Sequence, residues 1–169
     1  NTGIVILYKF DGKRWIQGNS LSGLPDSRFG QAIDIDNGRM VVGAPAWTSN
    51  QGLAFIYHLV DDSWIEKGVF SSTLYGPTAR IGHAVAIKGD WVLIGVPDGA
   101  NSTSGNLKGL GVLLKYNGSN YEFNAPINGP GIANSRDLGY AVDISTDYLV
   151  IGDLNHKSST PLNGGGAAF

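Results

Sequence analysis

The chain contains no cysteine. Disulfides, thiolate metal sites and a cysteine nucleophile are excluded together. Charge is scarce as well. Asp, Glu, Lys and Arg supply 15 % of the 169 residues, against about 25 % in an average domain. The net charge is −2, so the basic excess of a nucleic-acid binder is missing. No polybasic amphipathic helix suits a membrane surface, and no apolar run reaches the roughly 18 residues of a membrane span. Helical periodicity is not sustained anywhere. Asn1 to Phe10 has no basic start and no small-residue cleavage site, so no signal peptide is expected there. What remains is a 42 % hydrophobic chain with 25 glycines, long enough for about one domain.

Those glycines are not scattered. Three segments align without a gap: FGQAIDIDNGRMVVG (29–43), IGHAVAIKGDWVLIG (81–95) and LGYAVDISTDYLVIG (138–152). Gly30, Gly82 and Gly139 are each followed by Ala32, Ala84 or Ala141, and then by Gly43, Gly95 or Gly152. A second family lies between them: GIVILYKFDGKRWI (3–16), GLAFIYHLVDDSWI (52–65) and GVLLKYNGSNYEF (111–123). Each carries a tyrosine five residues after its glycine (Tyr8, Tyr57, Tyr116) and then a turn and an aromatic (Trp15, Trp64, Tyr121). The stretch from Gly166 to Phe169 reads as the start of a fourth copy.

Short apolar runs rich in β-branched and aromatic residues predict strands. Asp11-Gly12, Asn37-Gly38 and Asn117-Gly118 between such runs predict tight hairpins. Each repeat is therefore expected to be four antiparallel strands, A to D. The expected fold is all-β, a β-propeller of four-stranded blades. About three blade-equivalents are present: 1–28 as strands C and D of one blade, 29–80 and 81–137 as full blades, and 138–169 as a partial blade. Three blades leave apolar faces open. The segment is thus expected to belong to a larger ring, completed by remaining blades or by other copies.

The stretch FGQAIDIDNGRMVVGAP (29–45) resembles the FG-GAP repeat of integrin-α-like β-propellers. Phe29-Gly30 matches the FG and Gly43-Ala44-Pro45 the GAP. Ile81-Gly82 with Gly95-Val96-Pro97 keeps the pattern loosely, and Leu138-Gly139 with Gly152-Asp153 more weakly. The resemblance implies a seven-bladed propeller, extracellular or at a cell surface, used for adhesion or ligand binding. Many members of that family carry a DxDxDG calcium cage in the A–B loop. Here the loops read IDNG, IKGD and ISTD, too few acids for the six to eight oxygens calcium takes. No cofactor or metal is expected.

In an up-and-down blade the long B–C and D–A connections share one face, the usual place for binding on a rigid scaffold. The candidate ligand residues there are Trp47, Asn50, Asp98, Asn106, Lys108, Asn155, His156 and Lys157. A protein or glycan ligand is expected, with neither nucleic acid nor membrane insertion. Two sequons, at Asn101 and Asn117, are candidate glycosylation sites; Asn117 falls in a tight hairpin. Arg28, Arg80 and Arg136 precede their repeats and are expected to bond loop carbonyls at sheet junctions. His58, His83 and His156 sit at different repeat positions, and no nucleophile or phosphate motif occurs. A non-catalytic binding or adhesion module is the first reading. A structural subunit of an extracellular filament, sheath or appendage is the second, and a propeller-type hydrolase the third.

Overall fold

The computed structural model describes residues 2–100, 108–129, 137–155 and 167–168. They form an all-β chain of antiparallel strand ladders; a parallel pairing of Leu138 with Gly109 links the third and fourth of them. Sheet I is β1 (Ile4–Phe10) with β2 (Trp15–Ser22). Sheet II runs in order through β3 (Ile33–Asp36), β4 (Arg39–Ala44), β5 (Leu53–Val60) and β6 (Ser63–Phe70). Sheet III repeats that meander with β7 (Val85–Lys88), β8 (Trp91–Ala100), β9 (Lys108–Tyr116) and β10 (Tyr121–Ile127). Sheet IV holds β11 (Leu138–Ile144), β12 (Leu149–Asp153) and the two-residue β13 (Ala167–Ala168). No closed ring forms among the described residues.

The hairpins follow from turn chemistry. Asn37 and Gly38 both take positive φ (44° and 74°), as do Asp61 and Asp62 (47° and 60°). Two such residues in succession twist the chain the way paired strands require. The Asp11 carboxylate accepts the Lys13 and Arg14 amides at 2.8 and 2.9 Å, closing the β1–β2 turn.

Register corrects one reading of the repeat. Gly43 pairs with Ala54, and its counterpart Gly95 pairs with Gly111. Gly111 therefore stands where Ala54 stands, and the partner of Gly3 and Gly52 is Gly109. All three take positive φ: 76°, 79° and 97°. Each also lies against the first motif of the following copy, at Phe29, Ile81 and Leu138. Aligned on Gly109, Trp15, Trp64 and Tyr121 all fall at the same offset, while Leu114 takes the place of Tyr8 and Tyr57. Tyr116 is a residue of the β9 end and not the repeat tyrosine. β13 pairs Ala168 with Gly152 and Ala167 with Asp153, the pairing of β5 on β4 and of β9 on β8 begun a third time.

Burial explains the unbroken apolar runs. Met40, Val41 and Val42 are at most 1 % exposed. Val41 and Ile56 face sheet III, among Val85, Ile87, Val92 and Ile94. Met40, Val42, Phe55 and Tyr57 face sheet I, around Val5 and Phe29. Sheet III in turn presents Ala86, Leu93 and Leu113 to Val142 and Ile144 of sheet IV. A strand covered on both faces needs no polar alternation.

Candidate functional site

Neighbouring sheets approach through glycine. A Cβ on Gly43 would overlap the Gly82 carbonyl oxygen and sit 2.9 Å from its carbon; one on Gly95 would meet Gly139 the same way. This contact brings the connections between strands together on one side. Ala46 N–H donates to the Ser27 carbonyl at 3.0 Å. Arg80 and Ile81 N–H donate to the Asn50 and Gln51 carbonyls at 2.9 and 3.0 Å, and Asp98 N–H to Ala79 at 3.2 Å. The tight turns lie at the other end of the strands. Ion pairs tie them together: Lys9–Asp62 at 2.6 Å, Lys88–Asp36 at 2.8 Å and Arg39–Asp90 at 2.5 Å. The Lys88 bond, then the Gly89 amide, hold the Asp36 carboxyl below its usual pKa.

One polar cluster occupies the connection side. Arg80 (φ 56°) and its counterparts Arg28 (54°) and Asp137 (74°) all fall in the left-handed region. Each immediately precedes the apolar–Gly pair that starts a sheet. Arg80 Nε donates to Asp98 Oδ2, and its Nη2 lies 3.9 Å from Asp137 Oδ1. Asn155 Nδ2 donates to Asp137 Oδ2. His83 and Tyr140 occupy equivalent positions on adjacent sheets, with ring centroids 4.4 Å apart. The Arg80 guanidinium lies 6.0 Å from the Tyr140 ring centroid. Burial, then the Arg80 charge, push the His83 pKa below its usual value, against the pull of the Tyr140 carbonyl, Asp98 and Asp137. The ring is therefore neutral near pH 7.

The candidate residues distribute unevenly. Asp98 and Asn155 belong to this cluster. Asn50 enters through its carbonyl, which accepts from Arg80. Trp47 is half-buried and packs against the cluster around Val5 and Phe29, so it serves the core. Lys108 lies in β9, where its backbone pairs with Ala100. Asn101, Asn106, Arg136, His156 and Lys157 lie outside the described residues. The Asn117 carboxamide is engaged at both ends: its oxygen accepts the Ser119 and Asn120 amides at 2.9 Å, and its nitrogen donates to Glu122 at 2.6 Å. Arg80 departs from expectation by pairing with carboxylates in place of carbonyls. Asp137 and Tyr140 escaped the sequence reading, although Tyr140 stands where Gln31 and His83 stand in the other copies.

A mostly apolar cleft of about 620 Å³ lies between sheets I and II at the short-turn end, lined by Leu7, Tyr8, Ile35, Leu59 and Trp64. None of the candidate residues borders it. Among the described residues no group of three or more His, Asp or Glu side chains could hold a metal ion, and no helix is long and apolar enough to cross a membrane. No family model matches the chain, and no curated protein aligns with it at a significant level.

Proposed function

We propose that the chain is a segment of an FG-GAP-like β-propeller acting as a non-catalytic binding or adhesion module, outside the cell or at its surface. Its ligand side is the side of the long connections. The observation that supports this most is the Arg80–Asp98–Asp137–Asn155 cluster beside the Tyr140 ring. A guanidinium, two carboxylates and a carboxamide offer donors and acceptors held in fixed directions. The adjoining aromatic face suits the apolar side of a sugar ring or a peptide side chain. Asp98 and Asp137 both attend one guanidinium, an arrangement for positioning and not for dividing acid and base roles. A glycan array and a panel of immobilised extracellular glycoproteins test the reading. Retained binding by Lys13→Ala on the short-turn side, with loss in Tyr140→Ala and Asn155→Ala, supports it. Failure to bind any probe, or equal loss in all three variants, overturns it.

The exposed apolar faces of sheets I and IV favour a second reading, in which copies assemble into an extracellular structure. Ile4, Ile6 and Tyr8 are about half exposed, although their counterparts Leu53, Phe55 and Tyr57 are buried by sheet I.

A further inference from the structure

Sheets II and III are the two complete meanders, and every strand of both is described. The joint between them lies inside the stack. Its connection end is held by backbone bonds, from the Arg80 and Ile81 amides to the Asn50 and Gln51 carbonyls. Its short-turn end is held by side chains. Asp34 and Asp36 accept the Ile87 and Gly89 amides at 2.7 and 2.8 Å. Lys88 bonds Asp36, and Arg39 bonds the Gly89 carbonyl and Asp90. One titratable ring stands beside these contacts. His58 Nε2 lies 2.8 Å from the Tyr121 hydroxyl. The imidazole meets Tyr116 and Tyr121 edge-on, with centroids 5.0 and 5.7 Å away.

The other copies carry a fixed charge at this place. Counted from Gly3, Gly52 and Gly109, His58 stands where Lys9 and Lys115 stand. Lys9 reaches forward to Asp62 of the next sheet at 2.6 Å. The counterpart of Asp62 in sheet III is Ser119. A cation at position 58 therefore lacks the carboxylate that a cation at position 9 has. The carboxylates nearby are engaged elsewhere: Asp36 by Lys88, Asp90 by Arg39 and Glu122 by Asn117.

The charges that act on the ring are positive. Arg39 is its directly opposed partner on β4, and Lys67 adds a second cation from β6. Like charges in opposed positions destabilise a sheet. From sheet III, β9 and β10 present the two phenols, and the β7–β8 turn presents Asp90, already bonded to Arg39. Burial pushes the Tyr121 hydroxyl up to about 12, so it keeps its proton. Tyr116 already carries a cation, the Arg39 guanidinium, 5.0 Å from its ring centroid.

We propose that His58 is an acid-operated latch between sheets II and III. The neutral ring packs against the two phenols, and the short-turn ends stay closed. Protonation makes Nε2 an obligatory donor and sets a new cation beside Arg39. The short-turn ends then part, while the backbone bonds of the connection end hold. The latch is thus independent of what the connection side binds. Burial first, then Arg39 and Lys67, hold the His58 pKa below its usual value. Closure is complete above about pH 6.5 and is lost as pH falls through the lower value of the closed joint.

Amide hydrogen exchange of the full chain tests this, read by NMR between pH 7 and 5 and corrected for intrinsic rates. The Ile87 and Gly89 amides report the short-turn end, the Arg80 and Ile81 amides the connection end. Protection of the first pair falls in acid by up to about tenfold per pH unit, and the second pair is unchanged. His58→Gln abolishes the fall; protonation of Asp34 or Asp36 would persist in that variant. His58→Lys, which installs the residue of positions 9 and 115, makes the first pair as labile at pH 7 as the wild type is in acid. Four results overturn the proposal: no fall in the wild type, equal loss at both ends, a wild-type pH dependence in His58→Gln, or a His58 ring that titrates at or above about 6.5.

Discussion

Replacing Gly43 with alanine tests the tightest of the glycine contacts among the described residues. The added methyl overlaps the Gly82 carbonyl oxygen and lies 2.9 Å from its carbon. Carbon contacts prefer about 3.5 Å or more, so the two backbones part by on the order of 1 Å. Both are strand or strand-entry backbone, with no flexible tip to swing aside. The separation loosens Val41, Ala54 and Ile56 from Ile81, Val85 and Ile87, where a gap of about 0.5–1 Å forfeits a quarter to a half of each contact. Overpacking of this kind costs about 1–3 kcal/mol. Alanine itself returns roughly 0.5–1 kcal/mol through the unfolded chain, leaving a net loss of up to about 2.5 kcal/mol. For a chain of this size each kcal/mol lowers Tm by about 2–4 °C. Urea and thermal unfolding measured on dilute protein read the change. Gly152→Ala is the internal control, since its methyl meets none of the described residues within 3.4 Å; there the entropic gain stands alone and stability is unchanged or slightly raised. Equal stability of the two variants would refute the claim that glycine sets the spacing between sheets.

Asp34→Ala removes the acceptor of the Ile87 amide, and Ile87 is 2 % exposed. An orphaned buried donor costs about 1–3 kcal/mol, whereas Asp143→Ala at the open end changes stability by no more than about 0.5 kcal/mol; chemical denaturation of the pair distinguishes them. His83 supplies a pH dependence. Its folded-state pKa lies below the unfolded value of about 6.5, so protonation favours the unfolded chain. The contribution is complete above about pH 6.5 and is lost as pH falls through the depressed value. His83→Gln, which installs the residue found at position 31, flattens that part of the acid limb in stability measured from pH 7 to 5. His58, whose pKa burial, then Arg39 and Lys67, also depress, contributes in the same direction.

The repeat was legible because its spacing contacts leave a residue signature. Gly43 and Gly95 cannot be anything larger, and Gly30, Gly82 and Gly139 need φ near 90°. The strand families and the fourth copy follow from these positions. Gly109 was passed over for Gly111 because the tyrosine served as the anchor. Position 57 only needs a large apolar group against its neighbour, and Leu114 fills it in the third copy. The glycine needs a particular φ, which no other residue adopts as readily. The connection-side cluster was half legible. Asp98 and Asn155 follow from the sequence because both lie beyond the second glycine of a repeat, Asp98 within β8 and Asn155 just after β12, but their meeting depends on Arg80, which bonds Asp98 and reaches toward Asp137. Nothing in local sequence encodes that direction. Trp47 shows the opposite limit: an aromatic in a connection can face outward or fold back onto the core, and here its partly buried ring packs against the cluster around Val5 and Phe29.

Each four-stranded meander completes its strand ladder within about forty consecutive residues, and sheets meet through their faces and through a few hydrogen bonds between neighbours, such as Arg80 N–H to the Asn50 carbonyl and Ile87 N–H to Asp34. Such a chain behaves as a row of coupled units with nearest-neighbour energies. Sheets II and III, each leaning on two others, set the slowest opening. Sheets I and IV lean on one and should exchange amide protons first, so that the row loosens from its ends inward.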